Sequence, residues 1–412
     1  MDFLHHTLDN GLELVAEVNP QAYSASYAFF VRTGSRDETA EISGVSHFLE
    51  HMVFKGTPRR SAEAVNRELD EISAGSNAFT SEEQTVYYAT VLPEDQGKIV
   101  ALLSDMMRPA LRQEDFDTEK QVILEEIAKY DDQPPYGAHD KCMTAHFGQH
   151  PLGRIVLGTQ RSVGNLSREQ MLRYFQSRYS PRNIVLAGAG NIDFPRLIDQ
   201  AAEHCDSWQS FDAPRPLSRA AWHRGFTVLE KPLATQEYVV QIANAPAAAD
   251  DDRYAARVLA TILGDDKGSR FFWELIDTGL AEHASIGTNE FQGSGIYMTY
   301  LACTPDETAA NLQRMADIVQ DAEANGVTQE ELDQAKNKIC AQIVLSAERP
   351  ANRLFSVGNG WVQRRQYKTV REAVEAYRAL TLADLRAVLQ KYPLSECTTV
   401  AIGPLQELAE PH

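Results

Sequence analysis

The sequence predicts an α+β protein made of two homologous domains, each a mixed α/β layer in which helices cover an antiparallel sheet. The chain has 412 residues. A single hydrophobic core rarely serves more than about 250–300 residues, so two domains are expected. The second half also repeats the first at an offset of roughly two hundred residues: residues 238–243 resemble residues 27–31, and residues 380–385 resemble residues 166–171. Strands and helices in each half indicate one sheet-and-helix layer per domain.

The elements of the first half follow from apolar patterns and turn residues. Asn10-Gly11 between alternating apolar residues predicts a hairpin over residues 3–18. Later segments are predicted as a strand at 23–31, a helix at 62–72, a strand at 77–88, and helices at 94–107, 113–127 and 166–179 before a buried strand at 183–190. Residues 206–224 are rich in Pro, Ser and Arg, and they predict a linker between domains at 1–205 and 225–412.

Composition, net charge and cysteine spacing disfavour several classes of partner and compartment. A hydrophobic content of 43% and a charged content of 24% are typical of an ordinary globular protein. The net charge of -19 disfavours nucleic acid and anionic membranes as partners, because both require a positive face. The five cysteines are scattered without CxxC spacing, which predicts free thiols in a reducing compartment. Neither a membrane span nor a signal peptide is visible, so we expect a cytoplasmic protein.

The strongest chemical signal lies in residues 44–57. His47 and His51 are four residues apart and share one face of a helix, with Glu50 close to the same face. Ser43 is expected to cap the start of this helix, and Gly56 to end it. The other faces are apolar, and buried polar groups are costly unless they are paired or bound to metal. The pattern therefore predicts a zinc site in which Glu50 acts as the general base toward water.

The segment HFLEHMVFKGT carries the inverted motif H-x-x-E-H. It resembles the pitrilysin-type zinc peptidases, which include insulin-degrading enzyme and the mitochondrial processing peptidases, and the similarity extends over nearly the whole chain. This resemblance implies a zinc-dependent endopeptidase or oligopeptidase that binds one zinc ion per chain. It also implies paired domains that form half of a clam-shell chamber. Because such families contain degenerate members, a catalytically impaired partner or scaffold subunit is the alternative.

Two histidines leave a zinc site incomplete, and the resemblance implies that a Glu-rich helix supplies the third ligand. Glu125 and Glu126 both compete for that role. Helical geometry favours Glu126, because it lies within about 20° of Glu119 on a partly apolar face. Glu125 instead forms an i,i+4 pair with Lys129, which is typical of a solvated face. Glu119 matches the family's supporting carboxylate, which implies that it is a ligand or orients one.

Residues 77–79 are the predicted substrate-binding segment. The tip Gly-Ser-Asn-Ala leaves the backbone of this strand approachable, so an extended peptide could add to it as a further strand. In the resembling family the NAFTS segment holds substrate beside the metal, which implies this role for Asn77, Ala78 and Phe79. We expect peptides as substrates and a homodimer as the assembly, because a homodimer is the commonest closed oligomer.

Histidines outside the motif are weaker candidates. His139, His146 and His150 are spaced to share a helix face, but no carboxylate accompanies them. They could be alternative ligands, although histidines on a surface or lining a cleft are the more frequent case.

The second half departs from the family pattern at one segment. Family members usually carry S-R-L-F-x-x-L-R-x-x-x-G-L-x-Y, whose inner Arg and Tyr reach the substrate carbonyl. Here the segment is SRFFWELIDTGLAE, in which Ile276 or Leu275 takes the Arg position and Glu282 the Tyr position. The donors that would stabilise an oxyanion are therefore not found where expected. Tyr297 and Tyr300 are the possible substitutes.

Overall fold

The computed structural model describes residues 1–72, 74–218 and 220–412. The strands are β1 (Asp2–Thr7), β2 (Glu13–Val18), β3 (Ala25–Val31), β4 (Gly75–Thr80), β5 (Thr85–Val91), β6 (Ile184–Gly190), β7 (Gly225–Glu230), β8 (Glu237–Asn244), β9 (His283–Phe291), β10 (Ser294–Cys303) and β11 (Cys397–Gly403). The α-helices are α1 (Val45–Val53), α2 (Ala62–Glu71), α3 (Gln96–Met106), α4 (Gln113–Asp132), α5 (Pro134–Phe147), α6 (Gln160–Asn165), α7 (Arg168–Arg178), α8 (Phe194–Cys205), α9 (Arg253–Gly264), α10 (Thr308–Asn325), α11 (Gln329–Ser346), α12 (Pro350–Arg364), α13 (Val370–Arg378) and α14 (Leu382–Lys391). Within the ranges described, no helix has both the length and the apolar character needed to cross a membrane.

Two sheets organise these elements. The first has the strand order β1-β2-β6-β3-β5-β4, and the second has the order β7-β11-β8-β10-β9. Neighbouring strands are antiparallel except for one parallel pair in each sheet, β2 with β6 and β7 with β11. Two parallel neighbouring strands need a long connection between them. In each sheet, the described part of the chain between the two parallel strands contains three further strands and several helices. The predicted class, sheets covered by helices, is confirmed, with this one parallel pair added to each sheet.

The internal repeat is visible in the topology. The order β2-β6-β3-β5-β4 in the first sheet corresponds strand for strand to the whole of the second sheet. Helix α9 follows β8 as α1 follows β3. Helices α7 and α14 both begin with a capping box, from Ser167 with Gln170 and from Thr381 with Asp384. The prediction of two homologous halves is therefore confirmed. Of the two corresponding helices, α1 carries His47 and His51, whereas α9 contains no histidine.

Contacts divide the chain into two compact units that each recruit one helix from the other half. The first unit comprises Met1–Ala128, Arg154–Pro216 and Leu345–Lys368, and the second comprises Lys129–Gly153, Leu217–Val344 and Thr369–His412. Helix α12 thus packs on the first sheet, where Arg353 forms a buried salt bridge with Glu17 of β2. Helix α5 packs on the second sheet. The domain limits drawn from the sequence, 1–205 and 225–412, stay a prediction.

The predicted strand at residues 77–88 is wrong in one respect, because it is a hairpin of two strands. Strands β4 and β5 are joined by a turn in which the Ser81 amide donates to the Gln84 carbonyl at 2.8 Å. The Ser81 hydroxyl donates to the same carbonyl, so this polar segment satisfies its own backbone instead of continuing the strand. Strand β4 is the last strand of the first sheet, as expected for an edge.

Candidate metal centre

Helix α1 is buried and begins at a strained turn. Gly44 has φ +93°, and a Cβ atom there would lie 2.6 Å from the carbonyl oxygen of Leu157, so only glycine fits. The prediction that Ser43 caps the helix is wrong. The buried carboxyl of Glu38 instead accepts hydrogen bonds from the amides of Gly44 and Ser46, both at 2.8 Å. Glu38 thereby satisfies amides that the first turn of a helix leaves without partners.

The structure brings His47, His51 and Glu126 together. Glu126 Oε2 lies 3.9 Å from His47 Nε2 and 3.8 Å from His51 Nε2. The three donor atoms all lie within 4.8 Å of one another. Separations of 3.8 and 3.9 Å are too long for hydrogen bonds. Tetrahedral ligands each about 2.0–2.1 Å from one zinc ion lie roughly 3.3–3.4 Å apart, so these separations exceed those of a shared metal ion by about half an ångström, which small side-chain rotations would close.

Glu119 orients one of the two histidines. Its Oε1 lies 2.8 Å from His51 Nδ1, which leaves His51 Nε2 directed at Glu126. A carboxylate that holds the second nitrogen of a metal-binding imidazole is the usual companion of a histidine ligand. This arrangement supports the carboxylate-orienting role for Glu119 over the alternative that it is itself a ligand. The donor set of two imidazoles and one carboxylate is one that zinc accepts in catalytic sites.

The electrostatics of the cluster favour a cation among these groups. Burial, together with the neighbouring His51, lowers the pKa of His47 to about 3, so its imidazole is neutral and able to coordinate a metal. Burial alone would lower the pKa of His51. The hydrogen bond with Glu119 and the charges of Glu119, Glu126 and Glu50 outweigh burial and raise that pKa. The carboxylates therefore attract positive charge to the point where the donor atoms meet.

Glu50 lies beside the donors and is tied to the edge strand. The Thr80 hydroxyl of β4 donates a hydrogen bond of 2.6 Å to Glu50 Oε2. Burial raises the pKa of Glu50, and the charge of Glu126 adds to this, while the Thr80 hydrogen bond and His51 act in the opposite direction. A carboxyl with a raised pKa in a partly enclosed site is suited to accept a proton and return it.

The predicted substrate-binding residues lie along β4 and have different surroundings. Ala78 packs against the core that contains α1, whereas Phe79 points to the opposite face and contacts Phe355 at a centroid distance of 6.0 Å. Ladder bonds alternate along an antiparallel pair. Because the Ser81 amide donates to the carbonyl of Gln84, the residue before β5, this alternation directs the amides of Ala78 and Thr80 toward the open edge. The Asn77 side chain accepts a hydrogen bond from the Ala78 amide at 2.8 Å.

Several other candidates lie outside this cluster. Glu125 is exposed on α4, whereas Glu126 is partly buried, as the helical geometry predicted. Among the described residues, His47, His51 and Glu126 form the one group of three potential ligands, so His139, His146 and His150 are not part of such a group. His146 is buried in the second unit and contacts Thr398 Oγ1 at 2.9 Å.

The suggested tyrosine substitutes differ in accessibility. Tyr297 is 1% exposed within the core of the second unit, so its hydroxyl is enclosed by that core. Tyr300 is half-buried on β10 against the ring of His283, and burial raises its pKa to about 12. Tyr297 is therefore a poor candidate for the oxyanion donor, and Tyr300 stays a prediction.

Sequence reasoning missed three residues that shape the cluster. Lys55 and Thr80 stand within the two motifs already singled out, HFLEHMVFKGT and NAFTS, so a signal for them was present. Their partners, Glu119 and Glu50, are distant in sequence and become visible only after folding. Glu38 precedes the motif and carries no local signal for a capping role.

Two family models and the relatives of similar sequence agree on the kind of protein. Residues 13–160 match the family model described as insulinase (peptidase family M16), and residues 165–339 match the model described as peptidase M16 inactive domain. An uncharacterized zinc protease of Mycobacterium tuberculosis is 32% identical over 406 residues, which is 97% of this chain and 92% of that protein. An uncharacterized zinc protease of Bacillus subtilis is 29% identical over 406 residues, 97% of this chain and 98% of that protein.

Solved structures share the same fold. A protease from Helicobacter pylori superimposes with a TM-score of 0.91 at 22% identity, covering 97% of this chain and 99% of that chain. A structure from Pseudomonas fluorescens described as a peptidase M16 inactive domain also has a TM-score of 0.91, at 17% identity, covering 100% of both chains. The fold, the family models and the sequence identity agree, and this chain belongs to the insulinase family of peptidases, family M16.

Proposed function

We propose that this protein is a zinc-dependent endopeptidase or oligopeptidase that hydrolyses peptides and unstructured segments. The observation that carries the proposal is the cluster of His47, His51 and Glu126 with a separate carboxylate, Glu50, beside it. Three protein ligands leave a coordination position open, as a catalytic zinc site requires. We infer one zinc ion per chain, because the described residues contain one such group.

Each residue of the site has a distinct role in this proposal. A zinc ion held by His47, His51 and Glu126 would polarise a water molecule and the scissile carbonyl. Glu50 takes a proton from the attacking water and delivers it to the leaving amine. Its raised pKa supports this role, because a general base works best when its pKa approaches the operating pH.

The substrate is expected to bind as an added strand on β4. The outward amide of Thr80 can pair with the main chain of an extended peptide, and the Ala78 amide can do so by exchanging its bond to the Asn77 side chain for one to the peptide. Phe79 lies between these two residues. Main-chain pairing depends little on sequence, so we expect cleavage of varied sequences that are locally unfolded. The net charge of -19 favours basic peptides, and added salt should weaken this preference.

We further propose that the active form is a cytoplasmic homodimer whose chamber admits peptides but excludes folded proteins. The cysteines in the described residues are free thiols, which supports a reducing compartment. Light scattering of the purified protein would give its mass in solution. Cleavage assays with an unstructured basic peptide, an unstructured acidic peptide and a folded protein would test the selectivity. Rapid cleavage of the folded protein by a monomer would contradict both the chamber and the dimer.

Peptide turnover by the zinc-loaded protein tests the peptidase proposal. The protein is incubated with a mixture of unstructured peptides, and the products are identified by mass spectrometry. We expect internal cleavage that stops when zinc is removed by a chelator and resumes when zinc is restored. Turnover that is indifferent to the chelator would contradict the proposal.

A second candidate function is that of a partner or scaffold subunit with little activity of its own. It is favoured by the segment where Ile276 or Leu275 stands at the family's Arg position and Glu282 at its Tyr position, and by the enclosed hydroxyl of Tyr297. This function predicts that the pure protein binds zinc but cleaves none of the peptides. Turnover by the protein alone excludes it.

A further inference from the structure

Lys55 pairs with the second oxygen of the carboxylate that orients His51. Lys55 Nζ lies 2.5 Å from Glu119 Oε2, while Glu119 Oε1 contacts His51 Nδ1 at 2.8 Å. Glu119 is 4% exposed, so its charge is largely removed from water. Among the described residues, Lys55 is the cation that contacts Oε2.

This carboxylate links two elements of the metal centre. His51 lies on α1 and Lys55 follows its end, one helical turn after His51, whereas Glu119 belongs to α4. Glu126 lies two turns further along α4, close to the same face as Glu119. Glu119 thus contacts His51 on α1 through one oxygen and Lys55 in the segment after α1 through the other, and this carboxylate ties α4 to both. It thereby sets the orientation of His51 and the placement of Glu126 together.

We propose that Lys55 is a positioning residue for the metal centre, acting through Glu119. The inference rests on the metal site of the proposed function but not on peptide cleavage. A buried carboxylate that loses its cationic partner is left with an uncompensated charge and can turn away from His51. Loss of a group that orients a metal ligand typically weakens metal binding about 10- to 100-fold.

Whether zinc binding weakens or tightens when Lys55 is removed distinguishes a positioning role from an effect of its charge alone. Lys55 carries a positive charge near a site for a cation, so by Coulomb repulsion its removal should tighten zinc binding. If Lys55 positions Glu119, its removal should weaken zinc binding instead. The two explanations therefore predict opposite signs for the same substitution.

The experiment measures the zinc dissociation constant of the full chain by competition with a chelator. We expect Lys55→Met to bind zinc about 10- to 100-fold more weakly, and Lys55→Arg to recover most of the loss, because a cation again reaches Glu119. Lys120→Met is the matched control. It removes the same charge next to Glu119 in sequence, but Lys120 donates to the Gly164 carbonyl at 2.9 Å, so it should bind zinc as the wild type does.

Two further measurements keep the test decisive. Thermal unfolding of the zinc-free proteins should show that each variant folds cooperatively, with Lys55→Met melting below the wild type because buried Glu119 loses its partner. Zinc binding is then compared at a temperature where all the proteins are folded, and Lys55→Gln replaces Lys55→Met if the latter does not fold. The cobalt-substituted variant should have an altered visible spectrum, because its ligands are displaced. Equal or tighter zinc binding by Lys55→Met, or no zinc binding by the wild type, overturns the inference. Zinc binding that follows the expected order without peptide cleavage overturns the peptidase proposal alone.

Discussion

Replacing Thr80 with valine tests how the edge strand is connected to the proposed base. Valine keeps the shape of threonine but removes the hydroxyl that donates to Glu50 Oε2 at 2.6 Å. A hydrogen bond to a charged group contributes about 1.5–3 kcal/mol. If the bond holds Glu50 in its reactive orientation through the transition state, its loss should lower kcat by about 10- to 150-fold, since each 1.36 kcal/mol corresponds to a factor of ten.

Steady-state kinetics with an unstructured peptide would measure kcat and KM separately. We expect kcat to fall while KM changes little, because β4 can still pair with the substrate through its backbone. Thr80→Ser should recover most of the activity, and both variants should keep the wild-type zinc content. An unchanged kcat, or a loss confined to KM, would show that Thr80 does not position Glu50.

The remaining predictions concern the third ligand, pH and salt. Glu126→Gln should weaken zinc binding in a chelator competition, whereas Glu125→Gln should match the wild type; the reverse outcome would reassign the ligand. Burial lowers the pKa of His146 to about 4, so the unfolded chain takes up a proton that the folded chain excludes, and about 2 kcal/mol of stability should be lost between pH 7 and pH 5. Urea unfolding of His146→Phe should show a smaller loss, while the exposed His283→Gln control should follow the wild type. A preference for basic over acidic peptides should shrink as salt is added, and a salt-independent preference would contradict its electrostatic origin.

The fold was predictable where local sequence signals specify it, namely apolar periodicity and turn residues. The hairpin around Asn10-Gly11, strand β3 and the repetition of the first half by the second were all predicted from such patterns. The division of residues 77–88 into two strands was not predicted, because Ser81 and Gln84 form a turn without glycine or proline. The parallel pairs were also missed, since they join strands far apart in the sequence.

The metal centre was predictable to the extent that helical geometry controls it. His47 and His51 meet because a step of four residues keeps them on one face, and Glu126 meets them on the face that the sequence favoured. The groups that hold these side chains were not predictable. Lys55, just after α1, contacts Glu119 on α4, and the contact between Thr80 and Glu50 depends on how β4 packs against α1. These contacts belong to tertiary packing, which no local pattern specifies.

Zinc content measured together with peptide turnover, for the wild type and Glu50→Gln, tests the central claim most directly. The proposal assigns metal binding to His47, His51 and Glu126, and proton transfer to Glu50. The wild type should therefore contain one zinc ion per chain and cleave unstructured peptides, whereas Glu50→Gln should keep its zinc and lose turnover by orders of magnitude. Full turnover by Glu50→Gln, or cleavage by a wild-type protein that holds no metal, would contradict this account.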